Sequence, residues 1–210
     1  MLLLGALLLM GILLGLGLGG SFRNLANVEI RFWWALPIAV LLQVIPIPDM
    51  EGQAGQVVPV GMLLLSLVIL FLVAASNWRL FGLMVMALGV VLNFVVIGAN
   101  HGMPVSRDAI VAAGGADRLD EIPRERGPRH HLAGERDVLL FLGDVIGLRP
   151  PFGIVVSVGD LLTYGGATAF LVAAMLGRPV RRPPRGWEPQ PRHHPWTGPP
   201  ASTTTSETPP

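Results

Sequence analysis

Two uncharged runs decide the fold: VVPVGMLLLSLVILFLVAA at residues 57–75 and LFGLMVMALGVVLNFVVIGA at residues 80–99. Each is long enough to cross a bilayer, which takes roughly 17–25 predominantly apolar residues as a helix. Only a short turn carrying Asn77, Trp78 and Arg79 separates them, and so short a link makes the two helices antiparallel neighbours. The pair reads as a helical hairpin in lipid.

Composition agrees with that reading. Of the 210 residues, 51% are apolar and 14% charged, and the mean hydropathy is +0.58; a soluble domain carries about a quarter charged residues. There is no cysteine, which excludes disulfides, thiolate catalysis and Cys-ligated metals. A net charge of +1 lacks the basic balance of a nucleic-acid binder. All fifteen basic residues are Arg, the codon bias of a GC-rich bacterial genome, so the expected location is the bacterial plasma membrane.

Outward from the hairpin, residues 1–20 form an apolar block near full spanning length whose basic residues come after it, not before it as in a secretory signal. It reads as a first span. Residues 32–47, with Trp33 and Trp34 as interface anchors and Pro37 and Gln43 inside, read as a short second span. A last span is expected at residues 158–176. Its start is marked by Ser157-Val-Gly-Asp160, whose spacing matches a capping box in which the two side chains satisfy orphaned backbone donors. That places Asp160 in the first turn, near the interface, where its charge favours the positive end of the helix dipole.

Between the fourth and fifth spans, residues 100–153 form an extramembrane or re-entrant region. Ser106 reads as the cap of a short interfacial helix ending at Gly114-Gly115. Residues 117–137 are charged with both signs mixed. Residues 138–148 are apolar again but too short to cross, so they read as re-entrant, interfacial or packed on the bundle. The expectation is thus an all-α polytopic bundle of about five spans plus this short segment, occupying residues 1–176. The Arg/Pro-rich tail, 177–210, cannot bury a core and is expected to be disordered.

Arginines set the orientation. Arg23 and Arg31 follow the first span, Arg79 follows the third, and Arg178, Arg181, Arg182, Arg185 and Arg192 follow the last, whereas the second loop has only Asp49 and Glu51. The positive-inside rule puts the N-terminus outside and the tail in the cytoplasm. The seven Arg of residues 100–153 then lie outside, offset by eight acidic residues. Tail residues Arg178, Arg181, Arg182 and Arg185 are candidates for anionic lipid headgroups.

Few residues could carry chemistry. Gly11, Gly15 and Gly19 form overlapping small-xxx-small steps, which serve either packing within the bundle or homo-oligomerisation. Gly82, Met86, Gly89, Asn93, Val96 and Asn100 fall on one stripe of the fourth span, the face expected to meet other helices. Asn93, about 9 Å from the end of that span by helical rise, reads as interhelical hydrogen-bond glue or as a ligand contact. Asp144 and Asp160 are acids in apolar sequence, which are functional candidates by default. Asn93, Asn100, His101, Asp144, Ser157 and Asp160 could converge at one end of the bundle. The pairs His130-His131 and His193-His194 invite a metal reading, but adjacent histidines do not share a helix face. No phosphate-binding loop or catalytic motif is present, so no cofactor, metal or enzymatic activity is expected.

The ordered motifs Asn93-Phe-Val-Val-Ile, Asn100-His-Gly-Met-Pro-Val-Ser106, Leu142-Gly-Asp-Val-Ile146 and Ser157-Val-Gly-Asp160 resemble a group of small bacterial membrane proteins classed as a domain of unknown function. The likeness covers residues 1–176, and in that group a Gly often stands where this chain has His101. The resemblance implies a multi-span membrane protein and supplies no reaction or substrate. The expected role is a non-enzymatic structural or partner-binding one; the alternative is a small-solute or ion permease lined by Asn93, Asp144 and Asp160.

Overall fold

The computed structural model describes residues 2–46, 52–116, 119 and 129–178. Its helices, in chain order, are α1 (Leu2–Gly17), α2 (Phe22–Ala26), α3 (Ala35–Val44), α4 (Gln53–Ser76), α5 (Phe81–Asn100), α6 (Arg107–Ala112) and α7 (Val158–Met175). Four three-residue strands join them: β1 (Met103–Val105), β2 (His130–Leu132), β3 (Ile146–Leu148) and β4 (Ile154–Val156). The expected tail disorder, the His193-His194 pair and all the tail arginines except Arg178 fall outside the described residues.

Among the described residues three helices are long and apolar enough to cross a membrane, Val57–Ser76, Phe81–Asn100 and Val158–Met175, and two apolar ones are shorter, Gly5–Gly17 and Ala35–Val44. The chain is therefore a mostly helical, polytopic bundle. The second expected span needs correction. α3 has ten residues, about 15 Å at helical rise, or half of a ~30 Å hydrocarbon core. It starts late because Phe32 is left-handed, with φ 62°, and residues 31–34 form turns. The first span is shorter than expected as well, since α1 ends at Gly17 and Gly19 turns the chain at φ 84°.

Leu13, Leu65, Leu72 and Leu88 are exposed along the outer faces, a surface that suits lipid and not water. Inside, apolar burial gives no driving force where lipid is the solvent, so close packing must hold the helices. The tightest pair is α5 against α7. A Cβ on Gly82 would strike the backbone of Phe170, and one on Gly89 the carbonyl of Gly159. A Cβ on Gly166 would lie 2.7 Å from the Gly82 carbonyl, and one on Gly159 2.8 Å from that of Gly89. Gly82 and Gly89 are seven residues apart, as are Gly159 and Gly166. The two helices run antiparallel with glycine meeting glycine at two levels. The whole stripe from Gly82 to Asn100 is buried.

Gly11 and Gly15 also pack inward: Cβ atoms there would lie 3.1 Å from Thr168 and 2.7 Å from Met175 on α7. Their face is thus taken by the same chain, while a Cβ on Gly19 would meet nothing.

The all-α expectation fails for residues 101–116 and 129–157, which form a cap on one end of the bundle. Parallel β1 and β2 pair with Met103 opposite His130, and antiparallel β3 and β4 pair with Ile146 opposite Val156. Strands of three residues are too short for alternation to reveal. Ser106 does cap α6, accepting from Ala109 N at 3.4 Å. The 138–148 segment forms a 3-10 turn at Leu140–Leu142 and then β3. Leu142 packs on the core of Val60, Leu67, Val90, Val96, Ile97 and Met103, so the segment lies against the bundle end. Val105, Ile110 and Leu132 make a small core inside the cap itself.

Candidate functional site

Where the cap meets α5 and α7, three of the expected residues close into a ring. Asn93 Nδ2 donates to Asp160 Oδ1 at 2.7 Å, and Ser157 Oγ donates to Asn93 Oδ1 at 2.9 Å. Asp160 Oδ2 accepts from Ser157 N at 3.1 Å, and Ser157 Oγ accepts from Asp160 N at 2.9 Å. The capping box is complete, and Asn93 is tied into it from the neighbouring helix. Ser157 is fully buried and Asn93 nearly so, which makes each of these bonds costly to leave unmade. Gly159 is what allows the approach, since a Cβ there would collide with the Asn93 carboxamide.

Asp144 sits beside this ring. Its backbone pairs with the strand edge opposite β2, donating from N to Pro104 O at 3.0 Å and accepting at O from Ser106 N at 2.9 Å. Gly143 permits this approach, as a Cβ there would be 2.6 Å from the Pro104 carbonyl. The Asp144 carboxyl is buried, with Oδ2 3.8 Å from His130 Nε2. Its Oδ1 has no hydrogen-bond partner among the described residues. Burial pushes its pKa up to about 8, and the charge of Asp160 adds to the shift. Asp144 is thus a neutral acid at pH 7, next to an acid engaged in a full set of hydrogen bonds.

Asn100 does a different job. Its Oδ1 accepts from Val138 N at 2.8 Å, and its Nδ2 donates to Val138 O at 2.9 Å and to Val96 O at 2.9 Å. The carboxamide reads both backbone groups of Val138 as a strand neighbour would. His101 stays apart and exposed: it is the C-cap of α5, left-handed at φ 58°. Glycine reaches that conformation without strain, so the position has a backbone role.

The two histidines of β2 diverge. His130 is exposed toward Asp144, whereas His131 is buried and meets Asp137 Oδ1 at 2.9 Å. Among the described residues no three His, Asp or Glu side chains assemble as metal ligands.

Several residues escaped the sequence reading. Asn77 repeats the Asn100 device at the opposite end of the bundle. It exchanges two 2.9 Å bonds with the backbone of Arg31 and donates to Val73 O at 2.7 Å. Arg129 donates to the carbonyls of Leu42, at 3.2 Å, and Gln43 at the end of α3, a cation at the negative end of a helix dipole. Gln43 in turn reaches the buried Ser66 at 3.1 Å. Each is polar sequence near apolar blocks, yet nothing local names its partner.

A protein-family model described as "Family of unknown function (DUF5317)" matches residues 27–172. That stretch takes in α3 through most of α7 with the whole cap. No curated protein and no solved structure matches the chain significantly.

Proposed function

We propose, for a chain that belongs to the Family of unknown function (DUF5317), a non-enzymatic role as a membrane-anchored platform whose cap meets a partner. The closed ring of Asn93, Ser157 and Asp160 carries this reading. Every side-chain polar atom of the ring is spent on another member, and Gly159 brings its helix backbone against Asn93 and Gly89. A ring so engaged holds α7 and the cap on α5 and offers a passing solute little.

By the positive-inside rule the cap faces the outside of a bacterial plasma membrane, with the tail and Arg181, Arg182 and Arg185 against the cytoplasmic leaflet. Reconstitution in vesicles tests the reading. Wild type and Asp160→Asn should both leave proton and small-ion flux at the empty-vesicle rate, with the variant altered only in stability. A pH-dependent flux through the wild type would sink it.

Asp144 favours a second reading, a small-solute or ion permease. A buried carboxyl with an unpartnered oxygen and a pKa near 8 is suited to exchanging a proton with a passing solute. On this reading flux is present and Asp144→Asn abolishes it.

A further inference from the structure

An open groove of about 480 Å³ runs between α1 and α7 on the side of the bundle. Leu7, Met10 and Leu14 form one wall, and Gly165 and Ala169 lie on the other. Gly165 behaves unlike its neighbour Gly166. A Cβ on Gly166 would strike α5, whereas one on Gly165 would meet nothing within 4 Å. The missing side chain at 165 is therefore not needed for helix packing; it deepens the groove. From Gly165 to Leu176 the groove is about 16 Å long by helical rise, about the depth of one leaflet of a ~30 Å core. The one hydroxyl in the lining, Thr168 Oγ1, already donates to the carbonyl of Tyr164 at 2.9 Å. The one charge in the lining is Arg178, exposed just past the end of α7, at the end away from the cap.

An apolar trench one leaflet deep with a guanidinium at its mouth matches an amphiphile with an acyl tail and an anionic head. We infer that this groove binds one anionic phospholipid, its chain along Gly165 and Ala169 and its phosphate on Arg178. A guanidinium pairs well with phosphate oxygens, and a zwitterionic headgroup would bring its own cation against Arg178. Selection by headgroup, with retention by the trench, is the signature.

The test uses the full chain in nanodiscs of equal phosphatidylglycerol and phosphatidylcholine, followed by mass spectrometry of the lipid retained on the released protein. The expected preference for phosphatidylglycerol is about fivefold, the factor corresponding to about 1 kcal/mol for one basic side chain at an anionic surface. Arg178→Gln should keep a bound lipid and lose the preference, while Gly165→Leu, which fills open space, should lose the lipid. Absence of preference in the wild type, or an unchanged preference in Arg178→Gln, would overturn the inference. So would a lipid retained in Gly165→Leu. A triple Arg181→Gln, Arg182→Gln, Arg185→Gln variant should keep the preference; its loss there would assign the headgroup to the tail and refute the groove.

Discussion

Asn100 holds Val138 by both backbone groups, accepting its N–H at 2.8 Å and donating to its carbonyl at 2.9 Å. The cap is thereby hydrogen-bonded to the last residue of α5. Replacing Asn100 by Ala removes both bonds to the exposed Val138, at a cost of about 0.5–1.5 kcal/mol for each hydrogen bond lost. Asn100→Asp keeps the acceptor and loses the donor, so it should rescue at most part of the stability. Thermal melting reads the loss, and faster amide exchange at Val138 locates it. Unchanged exchange there would refute the pairing.

The ring predicts an order among substitutions. Asp160→Asn turns one of two accepting oxygens into a donor facing a donor, either Asn93 Nδ2 or Ser157 N. Ser157→Ala removes the cap of α7 and the bond to Asn93 together, and a lost cap alone costs about 1 kcal/mol. Combined with Asn93→Ala, either variant should cost less than the sum of the single effects, because all three share one network. A double-mutant cycle that adds up would break the ring apart.

Gly89→Ala and Gly159→Ala should each destabilise by roughly 1–3 kcal/mol, the usual cost of overpacking. Gly98→Ala lies on the same helix α5, where a Cβ meets nothing within 4 Å. It should be neutral or slightly stabilising, since Ala is the better helix former. Equal effects at positions 89 and 98 would show that the backbones do not touch.

Asp144 gives the fold a pH dependence of defined sign. Its pKa is raised from 3.8 to about 8, so the folded state holds a proton that the unfolded chain has released. The contribution is full below about pH 4 and is lost as pH rises to about 8. Asp160 and His130 face this carboxyl, with His131 and Asp137 paired behind. The melting temperature should fall between pH 5 and 8.5; Asp144→Asn should flatten the slope, while His130→Gln should steepen it below about pH 6.5, because desolvation lowers the His130 pKa and its own contribution rises with pH. A slope unchanged in Asp144→Asn assigns the effect to another group.

The sequence made parts of this legible for a physical reason. Ser157 and Asp160 act across one helical turn, so their spacing alone announces the capping box. The stripe from Gly82 to Asn100 obeys helical period, so its burial follows. The length of α3 was not legible, because it is set by a left-handed Phe32 and by Arg31 docking on Asn77, 46 residues away. The strands of the cap were hidden for a related reason: β1 gains its partners only when residues 130–132 and Asp144 arrive from far along the chain. His130 joined the site by the same route, while His101, beside Asn100 in sequence, is turned away by its own backbone.

The bond from Asn93 to Asp160 spans 67 residues, and that separation has a consequence for synthesis. α5 enters the bilayer with its carboxamide unpaired, and its partner does not yet exist. At about 5–20 residues per second, the ribosome needs roughly 3–13 s to deliver Asp160. During that interval the nascent hairpin carries an exposed polar handle in lipid, and the arrival of α7 removes it. Synthesis of α7 and concealment of Asn93 are therefore one event, which separates a closed bundle from one stalled before α7.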